Sequence, residues 1–213
     1  MPSPSWPWPA SVAPTGVATP GYAPAVELAK TILSRARVEG ELIMVDDFLN
    51  HRVEPDLIAD VGAAIAAAAD GRPVDLVLTA EASGIPPALA CALVLGTPLV
   101  YAKKYLGTGS RYSYWREVTS PTRGVEYRVE VARRVLAPGK SVLVVDDFLS
   151  GGRTAEALGE IAEEAGCEVT GMVFVIEKRW LGGRHRLQEH GWPVSALVTI
   201  AAIDRGGLVV VDR

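Results

Sequence analysis

Two adjacent carboxylates, Asp146 and Asp147, stand at the end of an apolar run in the stretch VLVVDDFLSGGRT. The residues that follow are small, hydroxyl-bearing or basic: Ser150, Gly151, Gly152, Arg153 and Thr154. An apolar strand that leads through such a turn into a helix can bind phosphate. The backbone N–H groups of the turn point at the anion, and the helix N-terminus adds its partial positive charge. The pattern therefore predicts a phosphate loop at 150–154.

The two carboxylates repel phosphate, so they must face another part of the ligand. Carboxylates suit sugar hydroxyls, or Mg²⁺ held through water. The stretch has neither the Gly-Lys-Ser/Thr of a Walker A loop nor the GxGxxG spacing of a dinucleotide site. One ligand combines a terminal phosphate, a diol and a Mg²⁺-bound diphosphate, namely 5-phosphoribosyl 1-diphosphate (PRPP). We interpret the stretch as a PRPP site.

The segments that must position this loop alternate between strand-like and helix-like patterns. We predict strands at 41–49, 74–79, 99–102, 125–135, 141–145 and 169–176, helices at 25–37, 55–70, 86–95, 152–165 and 181–190, and a terminal hairpin from 196–203 and 207–212. This alternation favours an α/β fold whose mostly parallel sheet is flanked by helices. Ligands bind beyond the carboxyl ends of such strands. The polar stretches 81–84, 103–105 and 146–154 are predicted to lie there.

Two segments do not fit this alternation. Residues 1–24 are rich in proline, which predicts an extended or disordered tail ahead of a single domain at 25–213. Residues 105–124 combine Gly, Pro and hydroxyl residues without a clear period, which predicts a long flexible loop, and loops of that length are usually functional. Arg111, Tyr112 and Arg116 are candidate contacts to diphosphate within it.

Composition limits the class of protein. The net charge of -4 argues against a nucleic-acid or anionic-membrane surface, and no apolar run is long enough to span a bilayer. The N-terminus lacks the features of a signal peptide. Two cysteines, far apart and in no metal-ligand spacing, predict a reduced, cytoplasmic compartment.

The PRPP interpretation gains support from a resemblance. VLVVDDFLSGGRT resembles the PRPP motif of type I phosphoribosyltransferases, although that motif usually has a second Gly where this chain has Arg153. The segments VDDFLNHRVEP at 45–55, EASGIPPA at 81–88 and VIEKRWLGGR at 175–184 resemble the bacterial xanthine phosphoribosyltransferase family, in the same order. The resemblance covers roughly residues 40–190. It implies a type I phosphoribosyltransferase-like fold with a small hood from about 38–52 and C-terminal segments, and a flap at about 105–124.

The resemblance also implies roles for individual residues. Asp146 and Asp147 are expected to hold the ribose hydroxyls, with Mg²⁺ carried mainly by PRPP and contacted through these carboxylates. The expected PRPP ligands are Ser150, Gly151, Gly152, Arg153, Thr154, Ala82, Ser83, Gly84, Lys103 and Lys104. The expected contacts to a purine base are Ile43, Asn50 and Lys178. The expected assembly is a homodimer.

The expected reaction is transfer of the phosphoribosyl group to a 6-oxopurine, with xanthine the leading choice. A lysine at the base would favour an oxo group over an amino group. Two alternatives stay open: the same chemistry on another or modified purine, and a PRPP-sensing regulatory protein. The second would require a DNA-binding domain, for which the Pro-rich N-terminal 40 residues are too few and too irregular.

Overall fold

A computed structural model describes residues 25–105, 112–119, 126–204 and 207–211. The predicted tail at 1–24 lies outside these ranges, as do parts of the predicted flap, 106–111 and 120–125. In the described part of the chain, strands and helices alternate as the sequence predicts. The predicted α/β class is confirmed.

The helices are α1 (Ala25–Arg35), α2 (Pro55–Ala68), α3 (Ile85–Leu95), α4 (Arg153–Glu164) and α5 (Gly183–Glu189). The strands are β1 (Arg37–Glu39), β2 (Leu42–Met44), β3 (Leu76–Ala80), β4 (Leu99–Tyr105), β5 (Ser113–Thr119), β6 (Glu126–Ala132), β7 (Ser141–Leu149), β8 (Glu168–Lys178), β9 (Val194–Asp204) and β10 (Gly207–Val210). Pro86 in the first turn of α3 and Gly96 after it, with φ of 66°, fix that helix at both ends.

An eight-stranded sheet has the order β10-β9-β8-β7-β3-β4-β6-β5. Strands β9, β8, β7, β3 and β4 are parallel to one another, and the antiparallel strands β10, β6 and β5 extend the two edges. The chain passes from β3 to β4 on one side and later returns to place β7 on the other side of β3. This reversal makes the carboxyl ends of β3 and β7 the crevice where a ligand is expected.

Both faces of the sheet are covered by apolar packing. On one face, α4 and α5 pack over a cluster that includes Val142 and Val144 of β7. On the other face, α1, α2 and α3 pack over Leu143 and Val145 of the same strand. This alternation along one strand is typical of a central parallel strand, and it makes β7 a rigid support for the carboxylates near its end.

The structure differs from the predictions in two segments. The predicted strand at 41–49 ends at Met44, and a π-helical turn, Asp46–Asn50, follows it. Phe48 and Leu49 are buried in this turn. Apolar residues in a buried turn give a sequence pattern similar to that of a strand. The predicted loop at 105–124 contains β5, which pairs with β6 along its whole length. Polar side chains that point outward from this edge strand obscured its alternation.

No helix among the described residues is long and apolar enough to cross a membrane.

Candidate active site

A small cavity of about 170 Å³ lies at the carboxyl end of β7. Its walls come from the predicted phosphate loop, from the end of β7 and from the β5–β6 hairpin. The residues that line it are Val118, Thr119, Tyr127, Asp146, Phe148, Leu149, Ser150, Gly151, Gly152, Arg153, Thr154, Ala155 and Phe174. The structure therefore brings the whole predicted loop at 150–154 to one cavity, together with the first of the two carboxylates.

The loop turns sharply into α4 at Gly152, whose φ is 78°. A side chain there would be strained, and its Cβ would lie only 3.0 Å from the carbonyl oxygen of Gly183. Gly183 begins α5, and a Cβ at that position would collide with the carbonyl of Ser150. The two glycines let α5 pack directly against the outside of the phosphate loop.

A basic side chain of α5 completes this support. Arg186 Nε donates to the carbonyl oxygen of Gly151 at 2.9 Å, and its guanidinium forms an ion pair with Glu156 of α4 at 3.1 Å. His190 lies 3.1 Å from the same carboxylate and stacks on Trp192. Sequence reasoning did not find Arg186, because a lone basic residue on a short helix carries no motif.

The two carboxylates of β7 have different surroundings. Asp147 is 5% exposed, and its carboxylate accepts hydrogen bonds from Ser83 Oγ at 3.0 Å and from Asn50 Nδ2 at 2.9 Å. Asp146 lines the cavity, and its Oδ1 accepts from the backbone N–H of Asp147 at 2.9 Å. Asp147 is thus a fixed junction between three segments, whereas Asp146 faces the cavity.

Surrounding protein raises the pKa of Asp146 well above its ordinary value of 3.8. Desolvation is the main cause, and the neighbouring carboxylate of Asp147 raises the pKa further. Lys104 acts in the opposite direction. A carboxyl group in this position favours partners that replace its lost solvation, such as sugar hydroxyls or a cation.

The turn after β3, residues 81–84, approaches Asp146 very closely at Gly84. A Cβ there would collide with Asp146 Oδ1 and with Thr79 Oγ1. The peptide bond between Glu81 and Ala82 is cis. Ser83 contacts Asp147 and Gly84 lies against Asp146, so this turn lies beside the two carboxylates. The binding of PRPP by Ala82, Ser83 and Gly84 stays a prediction.

The two adjacent lysines at the end of β4 lie on opposite faces of the sheet. The charge of Lys104 lowers the pKa of Asp146. Lys104 Nζ lies 5.3 Å from the ring centroid of Tyr127, which is part of the cavity wall. Lys103 lines a separate groove with Tyr101 and Tyr105. Adjacent strand residues point to opposite faces, so Lys103 does not share the surroundings of Lys104. Contact of either lysine with PRPP stays a prediction.

Comparison with known proteins decides the family. The family model of the phosphoribosyl transferase domain matches residues 44–192. The chain belongs to the phosphoribosyltransferase family. It is 42% identical over 174 residues to a xanthine phosphoribosyltransferase of Chloroflexus aurantiacus, covering 81% of this chain and 82% of that protein. It is 37% identical over 188 residues to a xanthine phosphoribosyltransferase of Latilactobacillus sakei, covering 87% of this chain and 96% of that protein.

Among solved structures, an adenine phosphoribosyltransferase of Rhodothermus marinus is similar, with a TM-score of 0.70 and 25% identity. The alignment covers 82% of this chain and 99% of that chain. These findings confirm the predicted type I phosphoribosyltransferase-like fold and the resemblance to xanthine phosphoribosyltransferases. They also confirm that the chain is a phosphoribosyltransferase enzyme.

The predicted base contacts of this phosphoribosyltransferase lie in three different environments. Lys178, at the end of β8, is half-buried, and desolvation lowers the pKa of its ammonium group. Asn50 ends the π-helical turn and donates its amide to Asp147. Ile43 is 6% exposed and belongs to the apolar cluster under that turn. Their contacts with a base stay predictions.

Phe148 is a site residue that sequence reasoning missed. Its ring centroid lies 5.3 Å from Lys178 Nζ, and it also lines the cavity beside Asp146. Phe148 directly follows the two acids in the sequence, and this position could have indicated it. A large aromatic side chain there packs either beside the ligand or in the core. Phe148 therefore lies between the cavity and Lys178.

Arg116, a candidate residue of the predicted flap, contacts the neighbouring helix. The side chain, on β5, forms ion pairs with Glu160 and Glu164 of α4, each at 2.7 Å. These pairs attach the β5 arm to the helix that follows the phosphate loop. Contact of Arg116 with diphosphate and closure of the flap stay predictions.

Proposed function

We propose that this phosphoribosyltransferase transfers the 5-phosphoribosyl group from PRPP to a ring nitrogen of xanthine, releasing diphosphate. The observation that carries the choice of base is the half-buried ammonium of Lys178 beside the ring of Phe148, the residue that follows the two carboxylates. The flat ring offers a surface for stacking, and the ammonium offers only donors. The names of the two xanthine phosphoribosyltransferases above support the same base.

The ammonium discriminates between purines through hydrogen bonding. An oxo group accepts from it, whereas the amino group of adenine would oppose two donors in a partly desolvated site. A mismatch of that kind costs about 1–3 kcal/mol, or about 5- to 150-fold in the specificity constant. Xanthine has two oxo groups and is acidic for a purine, so it gains most from a cation. The Asn50 amide can donate or accept, so it orients a base more than it selects one.

The chain's own residues can lower the barrier by positioning and by electrostatics. The loop at 150–154 holds the 5-phosphate with backbone N–H groups and hydroxyls. Asp146 and Asp147 hold the ribose hydroxyls and thereby fix the reacting carbon between the leaving group and the base. The turn at 81–84 and Lys104 face the diphosphate.

The surroundings of Asp146 and Asp147 fit a Mg²⁺ ion that arrives with PRPP. Among the described residues, no group of three or more His, Cys, Asp or Glu could hold a metal ion alone. Two carboxylates, one of them poorly solvated, suit an ion whose remaining ligands are phosphate oxygens and water. When bound, the ion would neutralise diphosphate charge.

Replacing Lys178 with alanine is expected to raise the KM for xanthine by about 5- to 150-fold, since one buried hydrogen bond to the base is lost. The KM for PRPP is expected to change little. Diphosphate release would be measured with PRPP, Mg²⁺ and a panel of xanthine, guanine, hypoxanthine, adenine and orotate. Lys140→Ala, at an exposed lysine that pairs with Asp75, is the matched control. Fastest turnover of adenine or orotate by the wild type would refute the proposed base.

The described residues do not support the alternative of a PRPP-sensing regulatory protein. Ahead of the family match at 44–192, the described residues form α1 and a hairpin of two three-residue strands. That segment is too small for a winged helix.

We also propose that the enzyme is a homodimer that uses the sheet face around Tyr101 and Tyr105. These side chains are 44% and 43% exposed and line a groove with Lys103, Glu130 and Arg134. Charges of both signs beside exposed aromatic rings suit a self-complementary contact between two copies.

A double substitution, Tyr101→Glu with Tyr105→Glu, is expected to yield monomers, because buried carboxylates would repel each other across a two-fold interface. Light scattering should give about 45 kDa for the wild type, twice the chain mass of 22.6 kDa. Val26→Glu, at an exposed position of α1, is the control and should stay dimeric. A monomeric wild type, or a dimeric double variant, contradicts this surface.

A further inference from the structure

Tyr127 of β6 has no role in the site as described so far, yet it contacts two of its functional groups. Its hydroxyl lies 2.8 Å from Thr154 Oγ1, in the phosphate loop. Its ring centroid lies 5.3 Å from Lys104 Nζ. The side chain is half-buried, and it forms part of the wall of the same cavity as Asp146. One side chain therefore contacts the hydroxyl that faces the 5-phosphate and the lysine that faces the diphosphate.

The hydrogen bond between the Tyr127 and Thr154 hydroxyls can orient the Thr154 hydrogen toward a phosphate oxygen. A threonine hydroxyl has one hydrogen to donate and can accept at its oxygen. When Thr154 donates to a phosphate oxygen, its own oxygen is free to accept from Tyr127. In that arrangement, Tyr127 selects the threonine rotamer that points its hydrogen at the anion. Without a partner, the hydroxyl rotates among staggered positions, and only part of that population donates to phosphate.

The aromatic ring of Tyr127 also interacts with the ammonium group of Lys104. An ammonium group is attracted to the face of an aromatic ring within about 6 Å. Lys104 is otherwise an exposed side chain at a strand end, with many rotamers available. The contact with Tyr127 holds its charge on the side of the cavity where it lowers the pKa of Asp146.

A second contact joins the same hairpin to the loop. Arg153 Nη1 donates to the carbonyl oxygen of Thr119, at the end of β5, at 3.3 Å. The β5–β6 hairpin thus contacts two consecutive residues of the loop, Arg153 and Thr154. Tyr127 therefore belongs to a hairpin that contacts the phosphate loop at two positions. Its hydrogen bond to Thr154 is part of that larger contact.

We propose that Tyr127 is a positioning residue for PRPP, acting through the Thr154 hydroxyl and the Lys104 ammonium. The inference rests on the proposed function of the crevice. It assigns Tyr127 to phosphate recognition and predicts that its loss affects PRPP and leaves recognition of the base intact.

Tyr127→Phe removes the hydroxyl and keeps the ring. The KM for PRPP is expected to rise about five- to tenfold, the effect of losing one hydrogen bond. The KM for xanthine should stay unchanged, and the melting temperature should fall by no more than a few degrees. Tyr127→Leu also removes the ring and should raise the KM for PRPP further. Tyr114→Phe is the matched control, since Tyr114 is a half-buried tyrosine of β5 that packs on the same apolar cluster.

A double-mutant cycle separates positioning from a merely structural role. If Tyr127 acts through Thr154, then Tyr127→Phe should add nothing to the KM for PRPP once Thr154→Val is present. Titration calorimetry of PRPP with Mg²⁺, without any base, should show the same pattern in binding. An active wild type whose Tyr127→Phe variant binds PRPP equally well overturns this inference alone. A wild type that neither binds PRPP nor releases diphosphate overturns the proposed function as well.

Discussion

Replacing Asp146 and Asp147 together with asparagine is expected to lower diphosphate release from PRPP by about 10²- to 10⁴-fold. Each carboxylate would hold a ribose hydroxyl, and a hydrogen bond to a charged group contributes about 1.5–3 kcal/mol. The double variant should remain folded, because asparagine has nearly the same shape. Diphosphate release and far-UV circular dichroism would check both parts. Turnover near that of the wild type would eliminate PRPP as the substrate.

The single variant Asp146→Asn should in addition stabilise the ligand-free protein at neutral pH. The folded state raises the pKa of Asp146, so it binds this proton more tightly than the unfolded chain does. The free energy of unfolding therefore falls as pH rises from about 3.8 through the pKa of the folded state. Asparagine cannot ionise and avoids this loss.

Thermal melts across pH would show the effect directly. The melting temperature of Asp146→Asn should exceed that of the wild type by a margin that grows with pH above the ordinary value of 3.8. Asp75→Asn, at a half-exposed aspartate paired with Lys140, is the control. A wild type that is more stable than Asp146→Asn at neutral pH would show that the carboxylate is well solvated or well paired.

Gly84→Ala is expected to have the second large effect. The new methyl group would collide with the carboxylate of Asp146 and the buried hydroxyl of Thr79, so the turn at 81–84 must shift. A displacement of about 1 Å at a reacting group can cost about 10²-fold in rate. Overpacking of this kind also costs about 1–3 kcal/mol of stability.

The catalytic constant and the thermal melt should both fall for Gly84→Ala. Gly171→Ala is the matched control, because its Cβ would make only an ordinary contact, 3.5 Å from a Leu143 methyl group. If Gly84→Ala keeps full activity and stability, the close approach of the turn to Asp146 contributes to neither.

The phosphate loop could be predicted because its function depends on consecutive residues. Strand, carboxylates, small residues and helix follow one another in VLVVDDFLSGGRT, so the local pattern alone specifies the chemistry. The α/β class was predictable for a similar reason, since β7 and β8 are continuous apolar runs between helical patterns.

Contacts between distant segments could not be predicted in the same way. The hydrogen bond between Asn50 and Asp147 spans 97 residues, and that of Tyr127 with Thr154 joins an edge strand to a loop. Lys103 and Lys104 differ only by the face of the strand on which they lie. Such a difference depends on the register of β4 against β6, which no single segment determines.

The hydrogen bond between Asn50 and Asp147 has a consequence for the coupling between the two substrates. The amide predicted to meet the base donates to a carboxylate predicted to meet the ribose. A ribose hydroxyl that took over Asp147 would release the Asn50 amide toward the base pocket. PRPP would then raise the affinity for the purine, and the purine would raise the affinity for PRPP by the same factor. One shared hydrogen bond would thereby make the two substrates bind cooperatively.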